Sequence, residues 1–175
     1  MSGVPVVVQY LAEGLLEKGY DVSICTKWYE GLSDKENING IHVYRFRLRK
    51  TLMKRYVGEI DSYRKFVLSL NADVVIFECS ECVTTDVLLR NLSQIKGKKI
   101  FHSHGFSGMR LLPFKWNVNL KYTLGNTYNW FRFKIYYSFT LKKYIKQFDE
   151  TICLSEMDSS KVWLMKNAKK VNVLQ

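Results

Sequence analysis

Short apolar runs alternate with amphipathic stretches along most of this chain. Val4, Val7, Val8, Leu11 and Leu15 recur at helical spacing and predict a helix through residues 1–18. Ser2 can cap it, Gly3 permits a tight turn before it, and Pro5 suits its first turn. Lys18-Gly19 is a stop signal. Residues 21–26 and 41–48 read as strands, separated by a polar stretch that ends in the turn pair Asn39-Gly40. Residues 55–70 read as a helix with Tyr56, Ile60, Tyr63, Val67 and Leu70 on one face. Residues 72–77 form a continuous, β-branched apolar run, the signature of a buried strand. A helix over 83–92 and a strand over 99–103 follow.

Residues 105–128 break every period, because Gly105, Gly108, Pro113, Gly125 and several Asn interrupt them. They read as a long loop or short helices. Residues 129–148 then predict a helix, 150–154 a strand, 155–166 a helix and 170–174 a final strand. Strands that alternate with helices imply an α/β fold with a mostly parallel, doubly wound, Rossmann-like sheet. Such a sheet normally begins on a strand, and this chain begins on a loop and a helix.

In an open α/β sheet, ligands bind just past the carboxyl ends of the strands. That rule draws the eye to Phe101-His102-Ser103-His104-Gly105, where an apolar strand runs into two histidines and a glycine. A neighbouring strand ends in Glu78, Cys79, Ser80 and Glu81. A histidine in such a place is either packed as structure or poised as chemistry. Alternation puts His102 on the same side as His104 only if the strand still runs straight there, and His102 is read as structural.

Charge changes the picture. The 175 residues carry a net charge of +11, and the excess is local. No Asp or Glu lies between Asp86 and Asp149, whereas that span holds Arg90, Lys96, Lys98, Lys99, Arg110, Lys115, Lys121, Arg132, Lys134, Lys142, Lys143 and Lys146. One surface should therefore seek polyanions or anionic lipid. Aromatic residues are interleaved with these charges. Trp130, Phe133, Tyr137, Leu141 and Tyr144 can form one face of the 129–148 helix. That face either lies on an anionic membrane or packs into the core; the loop before it is the better lipid candidate.

Residues 1–20 carry Glu13 and Glu17 without a basic leader, so no signal peptide is expected. No apolar run reaches the roughly 20 residues of a membrane-spanning helix. Four cysteines are too few for a disulfide scaffold of this size, which points to a reducing cytoplasm. Cys79-Ser80-Glu81-Cys82 is a CxxC pair at a strand–helix junction. It lacks the internal proline and the preceding aromatic of thioredoxin-like motifs, and no second pair completes a zinc site. Small buried thiols are the default reading.

Five stretches together resemble the family 4 glycosyltransferases. Ser2-Gly3-Val4-Pro5, running on to Leu15, resembles the family's Gly-Gly-Val loop and first helix. Lys18-Gly19-Tyr20-Asp21-Val22 and Asn39-Gly40-Ile41-His42-Val43 resemble its approaches to the next strands. Phe101-His102-Ser103-His104-Gly105 resembles its His-Gly strand end. Asp149-Glu150-Thr151-Ile152-Cys153-Leu154-Ser155-Glu156 resembles the strand before its interdomain region.

The resemblance implies that residues 1–175 are the N-terminal, acceptor-side domain of a retaining enzyme of the two-domain GT-B type. Such an enzyme moves a sugar from a nucleotide-sugar donor to an acceptor, here a polysaccharide or lipid-linked one, without a metal or other cofactor. It implies His104 beside the reacting sugar, with Ser2, Gly3, Val4, Ser103, Gly105, Ser155 and Glu156 around the substrates. At Gly3 the alternative is a plain capping turn, and at Ser155 a helix cap. The family's first strand would precede Ser2, and its donor-binding domain, with paired glutamates, would follow Gln175. The sequence is therefore expected to be a fragment, inactive alone.

The expected setting is cytoplasmic, peripheral to the inner face of the membrane, with no nucleic-acid partner. Two other readings compete with sugar transfer. One is a non-catalytic basic module that binds anionic lipid or nucleic acid. The other is a thiol-active protein built on Cys79 and Cys82. The missing first strand also has a consequence for the sheet: strands 21–26 and 73–77 must pair with each other or leave edges open.

Overall fold

The computed structural model describes residues 3–51, 55–110 and 120–174. Ser2 and the 111–119 part of the long irregular stretch lie outside the described residues. The chain divides into two compact units, each assembled from two stretches: Met1–Ala72 with Glu81–Lys96, and Asp73–Ser80 with Gly97–Gln175.

The first unit opens on helix α1 (Gly3–Glu17), followed by strands β1 (Ser23–Lys27), β2 (Lys35–Ile38) and β3 (Ile41–Phe46). β1 runs parallel to β3, and β2 joins β3 as an antiparallel hairpin. The hairpin loop is the pair Asn39-Gly40, with φ of 52° and 95°. Two left-handed residues match the twist of the flanking strands, and Asn-Gly supplies them at least cost. The turn was legible in the sequence, but β2 was not, because Lys35–Ile38 is short and mostly exposed. Ala12 of α1 is buried with Ile41 and Val43 of β3, and Leu16, Val22 and Ile24 pack around them. The helix thus seats itself through Ala12 and Leu16, four residues apart, rather than through Leu11 and Leu15.

A second small sheet pairs β4 (Leu48–Lys50) with β5 (Tyr56–Gly58). This corrects the helix expected over 55–70, which starts only at Ile60 as α2 (Ile60–Ser69). Gly58 explains the late start. Its φ is +106°, and a Cβ there would lie 1.9 Å from the carbonyl oxygen of Arg47. Tyr63 and Val67 are the buried face of α2, as the spacing predicts. Tyr44, Phe46, Tyr63 and Phe66 form a chain of ring contacts. The helix expected over 83–92 is only one turn, α3 (Val83–Asp86), followed by a tighter turn over Leu89–Gln94.

The second unit holds β6 (Val74–Glu78), β7 (Lys98–Ser103), β8 (Glu150–Cys153) and β9 (Val171–Val173). They form one all-parallel sheet in the order β6-β7-β8-β9. Between β7 and β8 runs a long helical segment: α4 (Leu120–Ile135), a π-helical stretch (Tyr136–Leu141) and α5 (Lys142–Tyr144). The helix begins nine residues before position 129, so Gly125 and the Asn residues do not end it. α6 (Lys161–Asn167) precedes β9 and starts six residues after position 155. Phe77, Phe101 and Phe148 meet in the core, and Phe106 stacks on Tyr137 beside Trp163. Gly108 is held by close approach: a Cβ there would lie 2.3 Å from the Phe133 ring.

β1 ends one sheet and β6 ends the other. Among the described residues neither has a hydrogen-bonded strand on its outer edge.

Candidate functional site

The parallel register of β6 and β7 builds the site. Glu78 is paired with His102 across the two strands, so their side chains share one face of the sheet. His104 lies two residues beyond His102 and returns to that face. The strand does run straight enough: Oε2 of Glu78 lies 3.0 Å from Nδ1 of His102 and 2.6 Å from Nε2 of His104. The two imidazoles are 4.8 Å apart between centroids. All three side chains are largely buried, with 6%, 8% and 17% of His102, His104 and Glu78 exposed.

A carboxylate only accepts, so both imidazoles donate to Glu78. In its neutral form His104 then carries its proton on Nε2 and leaves Nδ1 as an acceptor. That is the tautomer that can take a hydrogen bond from a hydroxyl. Nε2 of His102 is buried and has no hydrogen-bond partner among the described residues. Burial alone would push the Glu78 carboxyl up. The hydrogen bonds from His102 and His104, and the charge they carry when protonated, outweigh it and hold the group below its usual range.

The ligand atoms of Glu78, His102 and His104 lie within 4.8 Å of one another, close enough to be considered for a metal ion. As the three side chains stand, the 2.6 Å between Glu78 Oε2 and His104 Nε2 is a charge-assisted hydrogen bond.

The other expected site residues fall as follows. Gly3 and Val4 open α1 in the first unit. Ser103 faces the opposite side of β7, buried, with its Oγ 2.6 Å from Oγ of Ser160. Ser160 in turn donates to Asp158, and the Gly105 N–H donates back to Ser103. Gly105 adopts φ +80°, and a Cβ there would stand 3.0 Å from Oγ of Ser159. Ser103 and Gly105 thus tie the strand end to the 158–160 turn. Ser155 is exposed in a turn and does not cap α6; the residue preceding that helix is Ser160. Glu156 is exposed and pairs with Lys161.

Glu78 is the residue that the sequence reading placed at a strand end without giving it a role. Its signal was the alignment of two adjacent strand tips, Phe77-Glu78 and Phe101-His102, which becomes visible only once parallel pairing is assumed. None of the four cysteines forms a disulfide among the described residues. Burial pushes the Cys25 thiol up to about 12 and Cys153 up to about 11, far from thiolate formation at neutral pH.

The parallel four-stranded sheet and its helices make this a Rossmann-like α/β fold. The family model of glycosyltransferase family 4 matches residues 1–173, and the chain belongs to that family. No curated protein and no solved structure matches it. No helix among the described residues is long and apolar enough to cross a membrane.

Proposed function

We propose that this chain is the acceptor-side domain of a retaining glycosyltransferase. The donor is a nucleotide-sugar, and the acceptor a polysaccharide or a lipid-linked glycan. Transfer requires a second, donor-binding domain that closes over this one, and it requires no metal. The observation that carries the reading is the Glu78–His104 pair at the C-terminal tip of a parallel sheet in a family 4 chain. Glu78 fixes the ring and its tautomer, and Nδ1 of His104 accepts a hydroxyl of the transferred sugar. As positive charge develops at the sugar during transfer, the carboxylate behind the imidazole stabilises it. Gly3 and Val4, at the start of α1, contribute to the substrate contacts. Ser103 and Gly105 hold the His104 segment in place. Ser155 and Glu156, both exposed, meet the sugar or the closing domain. The segment over 105–148 brings the enzyme to the anionic cytoplasmic face of a membrane.

The test is transfer from radiolabelled nucleotide-sugars to glycan and glycolipid acceptors. It compares the 175-residue chain alone with the chain joined to a family 4 donor-binding domain. Product from the joined enzyme, with the donor's anomeric configuration retained by NMR, supports the proposal. Turnover by the chain alone, or inversion of configuration, overturns it.

A further inference from the structure

The aromatic face that the sequence singled out is turned inward: Tyr137 and Leu141 are buried, and Trp130, Phe133 and Tyr144 are half-buried. A different apolar row is left outside. Leu120, Leu124, Tyr128, Phe131 and Ile135 follow one another at steps of four, four, three and four residues along α4. At about 100° per residue these five positions fall within an arc of about 80°. Each is between 43% and 66% exposed. Thr123, about 100° round the helix from the centre of the row, is the buried position among the described residues of α4. A water-facing helix normally shows charge here, so a continuous apolar row is an interaction surface.

The margins of the row say what it meets. Lys121 flanks it on one side and Lys134 on the other, both exposed, and Lys142 and Lys143 follow along the same helical segment. No carboxylate lies anywhere between residues 86 and 149 to balance them. A second copy of the chain would bring like charges together along the whole seam. Nucleic acid would use the lysines and leave the apolar row in water. An anionic lipid surface takes both: phosphates at the margins and acyl chains under the row.

We propose that α4 docks on an anionic lipid surface through Leu120, Leu124, Tyr128, Phe131 and Ile135. The helix lies in the interface plane, and its 16 residues span about 24 Å. The Tyr128 ring sits at headgroup level, as amphipathic aromatics do. The proposal rests on the membrane part of the reading above and specifies the face; it does not depend on sugar transfer.

The test is co-sedimentation with vesicles of phosphatidylcholine, alone or with a minority of phosphatidylglycerol. The expected result is binding to the anionic vesicles that weakens with added salt. Leu124→Ser with Phe131→Ser should bind about tenfold more weakly or worse. Met165→Ser, an exposed apolar position on α6, should bind like the parent chain. Circular dichroism should show all variants equally folded. If the parent binds and the double variant binds equally well, this face is wrong while the membrane reading stands. If the parent does not bind at all, both fail. A dimer by light scattering that the double variant dissolves would assign the row to a second copy and overturn the proposal.

Discussion

Replacing Glu78 by Gln tests the centre of the site without touching its packing. Gln keeps the volume and one acceptor oxygen but removes the charge. The wild-type carboxylate accepts from two imidazoles at 3.0 Å and 2.6 Å in a largely buried setting. A hydrogen bond to a charged group contributes about 1.5–3 kcal/mol. Losing the charge weakens two such bonds, and Gln retains part of each, so a loss of about 2–3 kcal/mol at neutral pH is expected. The sign with pH follows from the depressed Glu78 carboxyl. Its folded form releases the proton more readily than the unfolded chain does. The stabilisation is therefore present above the ordinary carboxyl range near 4.5, and it is lost as pH falls through the lower folded value. Urea unfolding of both proteins at several pH values should show a gap that is full at pH 7 and closes in acid. Equal stability at pH 7, or a gap that widens in acid, would refute the reasoning.

Other expectations are simpler. Gly58→Ala forces a Cβ against the Arg47 carbonyl oxygen at positive φ, and should destabilise by about 2 kcal/mol or more in urea unfolding. Zinc titrated calorimetrically into the chain at neutral pH should show no binding that depends on His102 and His104; metal at micromolar affinity, lost in His104→Ala, would contradict a proton-sharing cluster. Cys25 and Cys153 should react with a thiol reagent far more slowly at pH 8 than a free cysteine does, since burial raises both; rapid labelling of either in the folded protein would contradict that. In NMR titration the Glu150 carboxyl, which accepts from Lys98 and Lys170, should titrate near 2, and its return to an ordinary value would mean those contacts do not persist in solution.

The four strands of the parallel sheet were readable in the sequence because short apolar, β-branched runs such as 72–77 stand out between helical stretches. The hairpin turn at Asn39-Gly40 was readable because backbone handedness restricts which residues fit. What escaped depended on contacts across the chain. Nothing local says that Tyr56 pairs with Lys50 rather than starting a helix. That choice follows from Gly58 meeting Arg47. In the same way, helical spacing marked one aromatic face on the long basic helix and could not say whether it met a membrane or the core. Only packing showed that Tyr137 turns inward and that Leu124 and Phe131 do not. His104 was marked by its place at a strand tip, whereas its partner Glu78 needed the register between β6 and β7.

The most direct test is the transfer rate of His104→Ala in the chain joined to a donor-binding domain. The account expects kcat to fall by about a hundredfold or more with folding unchanged. It also expects Glu78→Gln to lower kcat in the same direction by a smaller factor. Wild-type turnover in the His104→Ala enzyme would contradict the claim that this imidazole works at the sugar.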